Sequence, residues 1–349
     1  TGLPHYGHIC VSTIKDVICR YMSQTGRHVI RRFGWDCHGL PIEYEIDKSL
    51  GMSTHEAIKK IGIKGYNDQC RGIVQRYTSE WKKTIDRIGR WVDFDRDYKT
   101  MDTTFMESTW WVFKQLWDKK LIYQSVKVMP FSTALSTPLS NFEASSNYQE
   151  VQDPAITILF QLKKFTNTFM AAWTTTPWTL PANLGLCVHP DLDYVEVHDS
   201  DKNINIIMVK ERLEAYKKNR KLEIIKTYKG TDLKGMAYEP LFPYYKDLTS
   251  LGAFQIHNDD YVTTTDGTGV VHLAPAFGED DHRVLKKISP ELIACPVDDQ
   301  GKFTKEVTDF VGQYIKDADK EIIKYLKNKN LLFEQSTLNH SYPFCPRSK

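Results

Sequence analysis

No two of the seven cysteines are spaced as a CxxC pair, and seven is an odd number. That pattern argues against a clustered zinc site and against a disulfide framework. No metal is therefore expected, and a reducing intracellular compartment fits best. Long apolar runs are missing too. None approaches the ~18 residues of a membrane span, and nothing reads as a signal peptide, so no membrane partner is expected. A large excess of one charge is absent: the formal net charge is +2 on 349 residues. The chain as a whole is thus not an electrostatic glove for nucleic acid, although a local basic patch is left open. Internal repeats and low-complexity segments are also absent, which leaves an ordinary globular chain.

What is present is a composition of 41% hydrophobic and 26% charged residues, enough for a sizeable core and for two or three domains. In the first part, TGLPHYGHI leads into a helical pattern with Ile9, Thr13, Val17 and Tyr21 at four-residue steps and Gly26 as its stop. HVIRRF then reads as a strand, with GWDCHGLPIEYEID (Gly34 to Asp47) as the loop at its end. Strand, glycine-rich loop and helix in this order predict an α/β layer with a parallel sheet. Amphipathic helices are expected over about 54–90 and 101–121. The second has Thr103 as its cap, and Phe105, Trp110, Phe113, Leu116 and Trp117 form an apolar side read as core packing. From about residue 150 the texture changes to short β-type runs between turn residues, closed by a helix at DADKEIIKYLKNKNLLF.

Three stretches carry chemistry. His5 and His8 flank Gly7 at the mouth of a helix, where unpaired N–H groups and the dipole attract anions such as phosphate. A metal pair or two solvated histidines are the alternatives. Asp36, in the loop after the strand, lies where ligands bind at the carboxyl ends of parallel strands and could hold a cationic amino group. Cys37 beside His38 offers a thiol, but no oxyanion donor or second base accompanies it. WTTTPWTLPAN, Trp173 to Asn183, sets three threonines before Pro177. β-Branched residues favour a strand that the proline must end, leaving a row of hydroxyls that could cap a helix, pair across a sheet or hold a polar ligand.

TGLPHYGHI followed by GWDCHGLPIE resembles the class I aminoacyl-tRNA synthetases, and among them the eukaryotic-type isoleucyl-tRNA synthetases. HYGH stands where that class has its HIGH signature. VMPFSTALSTPLSNFEA, Val128 to Ala144, is similar to the isoleucyl family where its chain leaves the catalytic core. The resemblance implies a partial Rossmann-like catalytic domain over 1–149, an inserted β-rich α+β editing domain over 150–335, and a return to the catalytic core over 336–349. His5, Gly7 and His8 are then expected at ATP, with Mg2+, and Asp36 at the amino acid. WTTTPWTLPAN and GTGVVHLAPAFGEDDHRV, Gly267 to Val284, resemble the two halves of the editing site. The family match assigns Thr174, Thr175, Thr176 and Asn183 to a pocket around the terminal adenosine of tRNA. It puts His272 at the side-chain pocket and Asp281, not Asp280, at the substrate's amino group. From the residues alone, Gly267 and Gly269 are read as letting backbone approach a ligand.

The resemblance also implies why a second site exists. Isoleucine and valine differ by one methylene, and the isoleucyl enzyme is the standard illustration that this is worth only about 1–3 kcal/mol in a pocket. Expected substrates are isoleucine, ATP and tRNA(Ile) for synthesis, and mischarged Val-tRNA(Ile) and valyl-adenylate for hydrolysis. The hydrolysis needs no cofactor. The basic segment with Lys217, Lys218, Arg220 and Lys221 is either a solvated face or a phosphate contact for tRNA. The strand before TGLP, the KMSKS lysine loop and the anticodon-binding domain are not in the sequence, so this chain is expected to edit at most. A free-standing aminoacyl-tRNA deacylase is the alternative, and it would have no use for HYGH. The expected location is the cytoplasm. Membership of a multi-synthetase assembly is not written in the sequence.

Overall fold

The computed structural model describes residues 2–218, 220–346 and 348. Thr1, Arg347 and Lys349, at the outer ends of the sequence assignments, lie outside the described residues. The chain divides into two units, Thr1–Ser125 and Val126–Lys349.

The first unit runs α1 (Tyr6–Gln24), β1 (Arg32–Trp35), α2 (Leu40–Leu50), α3 (Thr54–Arg87), β2 (Asp93–Lys99) and α4 (Thr103–Asp118). β1 and β2 are parallel. The strand lies later than HVIRRF suggests, because β2 offers its partners to Gly34 and Trp35 rather than to His28–Ile30. A Cβ on Gly34 would sit 2.5 Å from the Tyr98 ring, so glycine is what this close pairing requires. The expected loop through Asp47 becomes helical at Leu40. Gly39, at φ 110°, turns the chain, and Pro41 presets the first helical turn. Asp102, not Thr103, holds the N-cap position of α4, but its carboxylate makes no capping bond to the helix and instead accepts from the Lys99 N–H at 2.9 Å. The largest departure is the apolar side of α4. Trp110 is 69% and Trp117 62% exposed, and Phe113 and Leu116 are exposed as well, whereas core packing was expected. The core of this unit is a small cluster around Ile46, Ala57 and Tyr66, too small to reach that side.

The second unit begins with β3 (Phe131–Ser132), β4 (Thr137–Pro138) and α5 (Asn141–Ala144). It continues through β5 (Tyr148–Gln161), β6 (Thr168–Thr174), β7 (Gly185–Val188), β8 (Asp193–Asp199), β9 (Ile204–Val209), α6 (Leu213–Lys217) and β10 (Leu222–Lys229). It closes with α7 (Gly230–Leu233), β11 (Gln255–Asn258), β12 (Val270–Leu273), α8 (Glu279–Lys286), α9 (Ile315–Asn328) and β13 (Leu332–Pro343). Among the described residues, one sheet has the order β10-β8-β9-β6-β5-β13 and a second has β11-β7-β12.

Strand periodicity builds the core on both faces of the larger sheet. Ile156, Ile158 and Phe160 of β5 join the main core with Leu186, Val270, Leu285 and Ile322. Leu159 between them faces the other way, into a smaller cluster closed by Leu213 and Tyr216 of α6. Each large side chain so buried contributes about 1.5–3 kcal/mol. Two of the short runs with β-type texture, GMAYEPLFPYY and SPELIACPVDD, form only isolated bridges at Leu162–Tyr238, Ala237–Gln255 and Val297–Phe303. Their prolines cannot donate to a ladder.

The closing helix ends at Asn328, and the chain then returns as β13, antiparallel to β5 from Leu332–Ile158 to Pro343–Tyr148. This ladder draws residues beyond 336 into the second unit. The contact division falls after Ser125, whereas the sequence assignment put it near residue 150.

Candidate functional site

The threonine row straddles the end of a strand. β6 stops at Thr174, two residues before the expected end, and Pro177–Ala182 forms a 3-10 turn. Thr174 Oγ1 accepts from the Thr176 N–H at 3.1 Å and lies 3.2 Å from Thr176 Oγ1. Thr179 Oγ1 donates to the Thr176 carbonyl at 2.8 Å and lies 3.0 Å from His272 Nε2. With the hydroxyl proton on that carbonyl, Nε2 carries the imidazole hydrogen and donates to Thr179. Nδ1 is then a bare acceptor, buried without a partner among the described residues. Burial lowers the His272 pKa to about 4, so the ring is neutral at physiological pH. Thr175 is half-buried between its neighbours. Thr179 was not singled out from the sequence. Its signal was its place three residues after Thr176, the spacing of one 3-10 turn.

The second half of the site is the α8 start. Asp281 Oδ2 accepts from the Ala274 N–H at 2.9 Å, and Tyr261 Oη donates weakly to Oδ1 at 3.5 Å. Burial, aided by the charge of Asp280, raises the Asp281 pKa to about 6. Asp280 itself is on the surface, paired with Arg283 at 2.9 Å. The two neighbouring acids therefore separate into an inward carboxylate and a solvated ion pair. A Cβ on Gly278 would come within 2.7 Å of the Asp281 carboxyl, so the inward position needs this glycine. Both halves meet through Thr179 and His272, and through the Trp178 and Phe277 rings, edge to face at 4.8 Å. The result is a row of hydroxyls, a neutral imidazole and one carboxylate that ionises near neutrality.

In the first unit, His5 caps α1. Its Nδ1 accepts from the Gly7 and His8 N–H groups at 3.1 and 3.4 Å, while His8 Nδ1 accepts from the His5 N–H at 3.2 Å. The rings stack at 3.6 Å. With both Nδ1 atoms accepting, each Nε2 carries its hydrogen and is a donor at a helix N-terminus. Burial and the neighbouring His5 lower the His8 pKa. Asp36 is exposed just past the carboxyl end of β1.

The model of the class I tRNA synthetases (I, L, M and V) matches residues 1–333. The chain belongs to this synthetase family. It is 56% identical over 353 residues to the cytoplasmic isoleucine–tRNA ligase of Mus musculus, with 100% of this chain and 28% of that one covered. To the cytoplasmic isoleucine–tRNA ligase of Saccharomyces cerevisiae it is 54% identical over 355 residues, covering 100% of this chain and 33% of that one. A solved leucyl-tRNA synthetase editing domain from P. knowlesi, cytosolic, is similar at 13% identity and TM-score 0.39, over 59% of this chain and 100% of that one. The chain spans about a third of the length of the relatives it matches.

Within this synthetase chain several expected contacts have protein partners. The Asn183 amide donates to the Gly185 carbonyl at 2.8 Å and accepts from Tyr238 Oη at 2.6 Å. Gly267 and Gly269 have φ of 67° and 68°, but the space a Cβ would fill belongs to Trp173 and Val209. They serve a tight turn packed on protein, not the ligand approach expected of them. Arg220 stacks on Phe333 at 3.9 Å and pairs with Glu334 at 3.0 Å. Lys217 pairs with Glu214 at 2.8 Å, while Lys218 and Lys221 are exposed. Among the described residues no group of three or more His, Cys, Asp or Glu is placed to hold a metal ion. No helix there is long and apolar enough to cross a membrane.

Proposed function

We propose that the second unit is the hydrolytic editing site of an isoleucine–tRNA ligase, acting on Val-tRNA(Ile) and valyl-adenylate. The supporting observation is the joining of Thr174, Thr176 and Thr179 to His272, beside an inward Asp281 held by the Ala274 N–H. Ionised Asp281 binds the ammonium of the misattached amino acid. Thr174, Thr175 and Thr176 face the terminal ribose, and Asn183 fixes their loop. His272 and Thr179 bound the side-chain pocket, whose size admits valine and rejects isoleucine. A ring with a pKa near 4 is a weak general base. Hydrolysis therefore rests on positioning a water between the threonine hydroxyls and the ribose hydroxyls of the substrate.

The first unit would supply part of the synthetic site of the longer enzyme, with Asp36 toward the amino group of isoleucine. The Nε2–H donors of His5 and His8 at the α1 N-terminus fit the phosphates of ATP, and a Mg2+ ion would be carried with that nucleotide. ATP supplies the activation of the carboxylate, and the two imidazoles orient its phosphates. Isoleucine attachment to tRNA(Ile) is the corresponding whole-enzyme activity. The cytoplasm is the proposed location, supported by the names of the mouse and yeast relatives. The test is release of valine from preformed Val-tRNA(Ile) by this chain without ATP, with Ile-tRNA(Ile) as control. Fast valine and slow isoleucine release is expected; equal rates would refute selective editing.

A further inference from the structure

Asp319 is an acid on an apolar helix face. It is only 5% exposed, and Ile315, Ala318, Ile322, Ile323 and Leu326 are buried beside it on α9. A carboxylate there is costly, and an apolar residue of similar volume would ordinarily be as stable or more so. Its Oδ1 accepts from the backbone N–H of Trp178 at 2.8 Å, across 141 positions of sequence. That N–H belongs to the first turn of the 3-10 segment, where the helix itself supplies no acceptor. The same turn carries the Thr176 carbonyl, which takes both the Thr179 N–H at 3.0 Å and the Thr179 hydroxyl at 2.8 Å. Trp178 also rests its ring on Phe277, in the loop leading to Asp281. Lys316, one turn back on α9, directs its Nζ to Asp153 of β5 at 3.1 Å, and His340 of β13 meets the same Asp153 at 3.1 Å.

We propose that Asp319 is a positioning residue of the hydrolytic site. Its carboxylate fixes the Trp178 amide and thereby the placement of Thr176 and Thr179 against His272. This rests on the editing reading above. A brace of this kind explains why a buried acid occupies a helix face that packing alone would fill with leucine.

The test compares Asp319→Leu, which keeps volume and removes the acceptor, with Asp319→Asn, which keeps an acceptor. Two readouts are taken on the full chain: steady-state deacylation of Val-tRNA(Ile), and amide hydrogen exchange over residues 175–183. The leucine variant should lose kcat by about tenfold or more with KM little changed, as a small misplacement of reacting groups does. Its threonine turn should exchange faster, and its melting temperature should not fall. The asparagine variant should recover most of the rate and of the protection. Wild-type deacylation by the leucine variant would overturn the proposal. So would a folded asparagine variant slowed about tenfold or more relative to wild type, a comparison that stands by itself should the leucine variant not fold. If the unaltered chain releases no valine, the editing reading falls. Exchange then decides alone, and equal protection in all three proteins refutes the brace.

Discussion

A carboxyl group that titrates near pH 6 beside a row of uncharged hydroxyls makes the residue scale testable. Asp281 has its pKa raised by burial, so it is protonated below about 6 and ionised above it. An ammonium partner needs the ionised form. Deacylation of Val-tRNA(Ile), corrected for the uncatalysed rate, is therefore expected to rise with pH through about 6. It should decline again near ~8, as the substrate's amino group loses its proton. Asp281→Asn should run low and without the acid step; a step at 6 in that variant would assign it elsewhere. Thr176→Ala and Asp281→Ala should each slow deacylation about tenfold to a hundredfold, the cost of a charged or buried hydrogen bond. Full activity of Asp281→Ala would remove its role. The spacing of GEDD places both acids at a helix start, but only packing under Tyr261 and Ala274 turns one inward and leaves the other with Arg283.

Elements account for the next set of differences. The basic segment looked uniform in sequence, yet α6 and β13 divide it. Arg220 is committed to Phe333 and Glu334, whereas Lys218 and Lys221 reach solvent. Arg220→Ala is expected to cost about 1–2 kcal/mol of stability through lost cation–π stacking and packing, read as a lower melting temperature. Lys218→Gln with Lys221→Gln should leave the melt unchanged and reduce the salt dependence of tRNA binding. A stable Arg220→Ala chain with weakened tRNA binding would reverse that division. α9 offers a separate check. Burial raises the Asp319 pKa to about 7, with Lys316 acting to lower it and Asp153 to raise it. The folded chain thus holds this proton more tightly than the unfolded one. The associated stability is full below about 4 and is lost as pH rises through 7. Asp319→Asn should accordingly raise the melting temperature more at pH 8 than at pH 5; a larger gain at pH 5 would contradict the burial.

For the whole molecule, the division of labour was legible early. Glycine and proline punctuation, the two strings of synthetase-like residues and the change of texture near 150 pointed to an α/β part and a β-rich part, and both are present. The same reading failed where partners are distant. HVIRRF has strand propensity, but strand register is set by β2, about sixty residues later. The apolar stripe of α4 has the right period for a core, but burial depends on what packs against it. Leu332 and Phe333, the first residues of β13, were read as the end of the closing helix because their pairing with β5 spans nearly the length of the second unit. Residue type and local spacing alone were enough for the family and for picking out the threonine row, His272 and Asp281 as candidates, since these are local patterns. Only the tertiary structure decided that Thr179 bonds His272, that the Asn183 amide is taken by Gly185 and Tyr238, and that Asp319 reaches Trp178. Those contacts join segments from 55 to 141 positions apart or depend on their burial, and no local pattern encodes such distances.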